Sequence, residues 1–147
     1  RFEAVMDINV MGSVYTITPL LSRMRARKKG QIALMSSLAG FRGLPSAAAY
    51  STSKVAMRAL GQSLRPLLAR DNIGVCVIHP GFVKTPLTDV NAFYMPFLMS
   101  PEQAAVAIRD GLEANRARIA FPWPMYLMAR LIAVMPSALL ALLPRKG

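Results

Sequence analysis

Tyr50 and Lys54 stand four positions apart in AAAYSTSKVAMRAL, residues 47–60, among small residues that would suit any packed helix. On a helix this spacing puts both side chains on one face, with Cβ atoms about 5–6 Å apart. A phenol and an ammonium so placed can manage a proton. At an effective dielectric near 20, a cation about 5 Å from a phenolate stabilises it by roughly 3 kcal/mol. That is enough to bring an ordinary phenol into range for giving and taking a proton near neutral pH.

The elements that must hold the pair are legible as periodicities. Residues 2–28 read as one long helix, apolar at Val5, Ile8, Tyr15 and Met24, ending in RMRARKKG, whose cations suit the negative end of the helix dipole and whose Gly30 suits the stop. QIALMSS, 31–37, is an apolar run of strand length, buried on both faces if the sheet is parallel. After the loop LAGFRGLPS a second helix runs from about Ala47 to Arg70, followed by the β-branched strand GVCVIHPG, 74–81. This alternation predicts right-handed crossovers in a layered α/β sheet. Residues 82–99 have no single period and read as a long functional loop. SPEQAAVAIRDGLEANR reads as a helix capped by Ser100, with Pro101 in the first turn, and ARIAFP, 117–122, as a third strand.

Composition sets the outer bounds. A chain of 147 residues, 54% hydrophobic and 17% charged, fits one ordinary globular domain. Its opening, RFEAVMDINV, already lies inside a helical pattern with neither initiator Met nor cap, so the sequence reads as a piece of a longer protein. The single cysteine, Cys76, permits no internal disulfide, which points to a reducing compartment, and no secretory signal is visible. A net charge of +11 is compatible with nucleic acid, with an anionic membrane surface, or with an acidic half lying elsewhere in the protein. The run from Arg23 to Lys29 lacks the aromatic interleaving that base stacking wants, and reads as a solvated helix end rather than a nucleic-acid patch.

YSTSK, with two serines upstream at Ser36 and Ser37, resembles the signature of the short-chain dehydrogenase/reductase family. The resemblance runs in order from residue 1 to about 121. DINVMG is similar to the family's catalytic Asn segment, MSS to the end of its serine-bearing strand, and HPGFVKTP to its segment after the next strand. It implies the second half of a doubly wound, Rossmann-type parallel sheet with helices on both faces, residues 1–122 being the catalytic half of the domain. It further implies an NAD or NADP cofactor and hydride transfer between nicotinamide and an apolar alcohol or ketone. Carried over residue by residue, Tyr50 is the general acid/base, Lys54 the cation that also holds the nicotinamide ribose, and Ser37, favoured over Ser36 by its spacing, the hydroxyl on the substrate oxygen. Asn9, through its main chain in a distorted helix turn, would hold a proton-relaying water. Pro80, Gly81, Val83 and Thr85 would meet the cofactor. A homodimer or homotetramer built on the two long helices, and a cytoplasmic location, are also implied.

The family's glycine-rich turn, which brings backbone amides against a pyrophosphate, has no counterpart here; AGFRG, 39–43, has the wrong context. The chain is therefore expected to be inactive alone, turnover belonging to a longer parent. Phe93, Tyr94 and Met95, in the long loop, read as an apolar substrate cover. His79 reads as packed or hydrogen-bonded rather than catalytic, Cys76 as core, and no zinc ligand set exists. Residues 123–147 form an apolar helical extension broken at Pro136, which disfavours a transmembrane helix. Peripheral membrane contact and burial against another subunit remain equally open for it. The rival reading is a non-catalytic membrane- or nucleic-acid-associated binding protein on the same scaffold.

Overall fold

A computed structural model describes residues 1–44, 47–89 and 94–136. Phe93 and the end of the apolar tail, 137–147, lie outside the described residues.

Helix α1 (Phe2–Met6) continues through a π-helical turn (Asp7–Met11) into α2 (Gly12–Ala26). Strand β1 (Gly30–Met35), a single 3₁₀ turn (Leu38–Gly40), α3 (Ala48–Ala69), β2 (Ile73–Pro80), α4 (Pro86–Asp89), α5 (Pro101–Glu113), β3 (Arg118–Phe121) and α6 (Trp123–Val134) follow. The three strands form one parallel sheet in the order β1-β2-β3, with Ile32 opposite Val75 and Ile78 opposite Ile119.

The two faces of the sheet bury separate cores, because successive strand side chains point to opposite sides. On one face Ile32, Leu34 and Val75 pack with Met57 and Leu68 of α3, joined by Val10, Ile17 and Met24 of the first helix. On the other, Cys76, Ile78, Ile119 and Phe121 pack with Ala104, Ile108 and Leu112 of α5. Helices thus cover both sides, as a doubly wound fold requires. Gly61 on α3 lets that helix approach the sheet closely, since a Cβ there would overlap Val77 Cγ2.

Several details depart from the sequence expectations for physical reasons. β1 is buried on one face only: Ile32 and Leu34 are covered, whereas Gln31, Ala33 and Met35 are exposed, because α5 lies over β2 and β3 and not over β1. The strand ends at Met35, two residues earlier than expected, and Ser36 adds one last ladder bond from its N–H to Ile78 O at 2.8 Å. The first helix ends at Ala26, two residues before the expected 28 and four before Gly30. Lys28 takes the left-handed conformation, φ 48°, and Lys29 N donates back to Met24 O at 3.2 Å in a Schellman-type end. The penalty for a non-glycine residue there is offset by Asp71, which accepts from Lys28 Nζ at 2.6 Å, and by Asn72, whose Nδ2 donates to Lys28 O at 3.0 Å.

Residues 82–99 are not wholly irregular. Val83 pairs with Met99 in an isolated parallel bridge, and Thr85 caps the short α4 by accepting from Thr88 N at 3.3 Å. Helix α5 starts as expected, Ser100 and Gln103 exchanging side chain to backbone bonds in a complete capping box.

Candidate active site

Helix α3 carries the pair identified in the sequence, and its geometry brings them together. Lys54 Nζ lies 5.4 Å from the centroid of the Tyr50 ring. Tyr50 is 43% exposed, so its phenol faces open space rather than the core. Lys54 reaches the sheet, donating from Nζ to Met35 O, the last carbonyl of β1, at 3.1 Å. Burial lowers the Lys54 pKa from its ordinary value. An ammonium has three donors; the bond to Met35 uses one, and no acidic partner meets it among the described residues.

The two serines after β1 divide the work. Ser36 is buried, and its hydroxyl donates to Lys54 O at 2.7 Å, which ties the strand end to α3 directly beneath the pair. Ser37 is half-buried with extended backbone. Its hydroxyl accepts from Ala39 N at 3.1 Å, capping the 3₁₀ turn, and reaches Pro80 O at 3.4 Å. The long second contact is weak, leaving the Ser37 hydroxyl proton available to another acceptor.

His79 fixes the Ser37 backbone. A carbonyl only accepts, so the contact from Nδ1 to Ser37 O at 3.3 Å assigns the ring proton to Nδ1. The ring is 1% exposed and lies 4.9 Å from that of Phe41. Burial, reinforced by the charges of Arg58 and Arg118 and opposed by the Ser37 bond, pushes the His79 pKa down to about 4. The imidazole is therefore neutral near pH 7 and holds the main chain in place.

Asn9 sits in the π-helical turn, where Gly12 N donates to Asp7 O across five residues. Its side chain donates from Nδ2 to Ser53 Oγ at 3.0 Å, joining the first helix to α3 one residue before Lys54. Its carbonyl, expected to be open to water, accepts from Ser13 Oγ at 2.9 Å.

Pro80 and Gly81 follow at the carboxyl end of β2, and Gly81 N donates to Phe121 O at 2.8 Å. A Cβ on Gly81 would come 2.7 Å from Met125 Sδ of α6, so that helix closes one side of the cleft. The Val83–Met99 bridge is held by Lys84 N to Met99 O at 2.9 Å and Met99 N to Phe82 O at 3.0 Å, bonds that leave out the Val83 N–H. Thr85 is occupied as a cap, its N–H donating to Thr88 Oγ1 at 2.8 Å. Tyr94 is 87% exposed and Met95 half-buried.

Sequence reasoning missed Ser53 and Arg42. Arg42 Nη1 donates to Ile132 O at 2.8 Å and Met135 O at 2.6 Å, so one guanidinium in the loop after Ser37 closes the end of α6. Neither residue has a local signal, because each partner lies far away in the chain.

A parallel sheet sandwiched between helices, with the polar cluster at the carboxyl ends of its strands, defines a Rossmann-type α/β protein. The family model for short chain dehydrogenases matches residues 1–92. The chain belongs to the short-chain dehydrogenase family. It is 40% identical over 139 residues to an uncharacterised oxidoreductase of Myxococcus xanthus, covering 95% of this chain and 55% of that protein. It is 39% identical over 125 residues to the 3-ketodihydrosphingosine reductase of Bos taurus, covering 78% and 38% of the two chains. The fold matches a Burkholderia cenocepacia short chain dehydrogenase crystallised with NADP, at TM-score 0.82 and 24% identity, over 98% of this chain and 61% of that one. The chain spans about half the length of the curated relatives it matches.

Proposed function

We propose that this chain is the catalytic half of an NAD- or NADP-dependent oxidoreductase that moves a hydride between nicotinamide and an apolar alcohol or ketone. The observation that carries the reading is the Lys54 ammonium, placed beside the Tyr50 ring and bonded to the last carbonyl of the strand that leads into Ser37.

In reduction, Tyr50 gives its phenolic proton to the substrate oxygen as the carbonyl becomes an alkoxide; in oxidation it takes that proton back. Ser37 donates a hydrogen bond to the same oxygen, and its backbone is steadied by His79. Lys54 keeps a positive charge close to the proton being moved, and the Asn9 main chain in its widened turn is suited to a water that replenishes it. The residues fit a nicotinamide nucleotide: Lys54 has donors to spare for ribose hydroxyls, and the Val83 N–H, left out of the backbone bonds of its bridge with Met99 among the described residues, suits a carboxamide. Tyr50, Pro80, Gly81 and Thr85 complete that contact. The cofactor supplies or accepts the hydride; the chain supplies the proton path and the orientation.

The apolar substrate rests on the loop of Tyr94 and Met95 together with the α6 wall at Met125, and is consistent with the name of the bovine relative. Turnover is assigned to a longer protein that carries the nucleotide cradle. The exposed outer surfaces of α1–α2 and α3, with Phe2, Ile8, Tyr15 and Leu67 facing solvent, suit pairing with a second copy.

The test is Tyr50→Phe in the longer protein, assayed with NADH and NADPH against a panel of apolar ketones that includes 3-ketodihydrosphingosine. Loss of a positioned acid/base lowers turnover by about 10²–10⁴, while nucleotide fluorescence titration is unchanged. Turnover within a few-fold of the parent would overturn the assignment.

A further inference from the structure

Helix α6 shows two distinct sides. Met125 faces Gly81, the Tyr126 ring stacks edge-on with Phe41 at 5.6 Å, and Arg42 closes the carboxyl end, so this side is docked. At 100° per residue, Trp123, Leu127, Leu131 and Val134 fall within a stripe about 80° wide on the other side. All four are exposed, Trp123 at 72%, Leu131 at 58% and Val134 at 77%. Burying such residues would be favourable, and nothing among the described residues covers them.

Charge and length decide what covers the stripe. Beyond Glu113 the sequence contains five cations, Arg116, Arg118, Arg130, Arg145 and Lys146, and no acid. Arg130 lies on the edge of the stripe and is exposed, and Arg118 sits nearby over the Tyr126 ring at 5.3 Å. A two-fold contact between copies through this face would set these cations against themselves. An anionic surface would complement them. The helix has 12 residues, about 18 Å long, too short for a hydrocarbon core of about 30 Å. It suits the plane of the headgroup boundary, with a Trp at the interface and cationic side chains reaching to phosphates.

We propose that α6 docks the protein onto the surface of an anionic lipid bilayer through Trp123, Leu127, Leu131 and Val134, with Arg130 toward the headgroups. The inference goes beyond the redox reading, and its test reads no turnover.

Trp123 is the only tryptophan in the chain, which makes it a local reporter. Vesicles of phosphatidylcholine containing phosphatidylglycerol should shift its emission to the blue, and brominated acyl chains should quench it. Binding should weaken as salt rises. Leu127→Asp with Leu131→Asp, checked by circular dichroism, should weaken vesicle binding by about tenfold or more. Val134→Asp, at the most exposed position of the stripe, should act in the same direction. Three results would each overturn the proposal: no vesicle binding, binding with unchanged Trp123 emission, or a concentration-dependent dimer dispersed by the same substitutions.

Discussion

His79 couples the site to acid. The ring is 1% exposed, donates from Nδ1 to Ser37 O at 3.3 Å, and its pKa is pushed from 6.5 to about 4. Around it stand Phe41 from the loop after β1, Arg58 from α3 and Arg118 from β3, and both cations oppose a further positive charge. Above pH 6.5 the imidazole is neutral in folded and unfolded chains alike, and its contribution to stability is complete. Between 6.5 and about 4 the unfolded chain binds a proton that the folded chain refuses, so stability falls as pH falls; below about 4 this loss levels off. Each unit is worth about 1.4 kcal/mol, so the whole window costs at most about 3.5 kcal/mol. His79→Asn keeps an N–H donor near the Nδ1 position and removes the titration. Urea unfolding of both proteins at a series of pH values gives the difference in slope. The substitution lowers stability by a constant through lost ring packing, and flattens the fall between pH 6.5 and 4.5. Asp71 and Glu102, held below the usual carboxylate range by Lys28 and by the Ser100 hydroxyl respectively, add a lower-pH loss common to both proteins. Parallel slopes across the window would show that His79 protonates freely in the fold and would refute the argument.

Gly61→Ala should destabilise by about 2–3 kcal/mol, read by denaturant unfolding, because the added methyl overlaps Val77 and comes 3.1 Å from Leu34 Cδ1 in a filled core. Arg42→Ala should leave the sheet protected but raise amide exchange in α6 by about tenfold, since the bonds to Ile132 O and Met135 O are lost; unchanged α6 protection would show that packing of Met125 and Tyr126 suffices.

What could be read in the sequence follows the reach of local rules. The nearness of Tyr50 and Lys54 is helix geometry, and the Ser100 capping box is chemistry within four residues, so both were legible. The parallel order of three strands followed from their alternation with helices. One-sided burial of β1 was not legible, because an apolar run looks the same whether one neighbour covers it or two. The end at Ala26 rather than 28 was missed because the left-handed backbone of Lys28 is supported by Asp71 and Asn72, 43 and 44 residues away. The tie between Asn9 and Ser53 spans a similar gap, and no spacing announces it. Thr85-Pro86 did carry a start signal for α4, but a four-residue helix has no period to confirm it.

The wide turn at Asp7–Met11 has a consequence for tolerance to changes in chain length. It accommodates one residue more than a regular helix would. Deleting one residue there would close the wide turn into a regular helix and keep Phe2–Met6 in phase, while removing the bulge that carries Asn9. Point substitutions at exposed Asp7 or Ile8 leave the wide turn in place, so the geometry around Asn9 tolerates exchange of side chains far better than loss of a single codon.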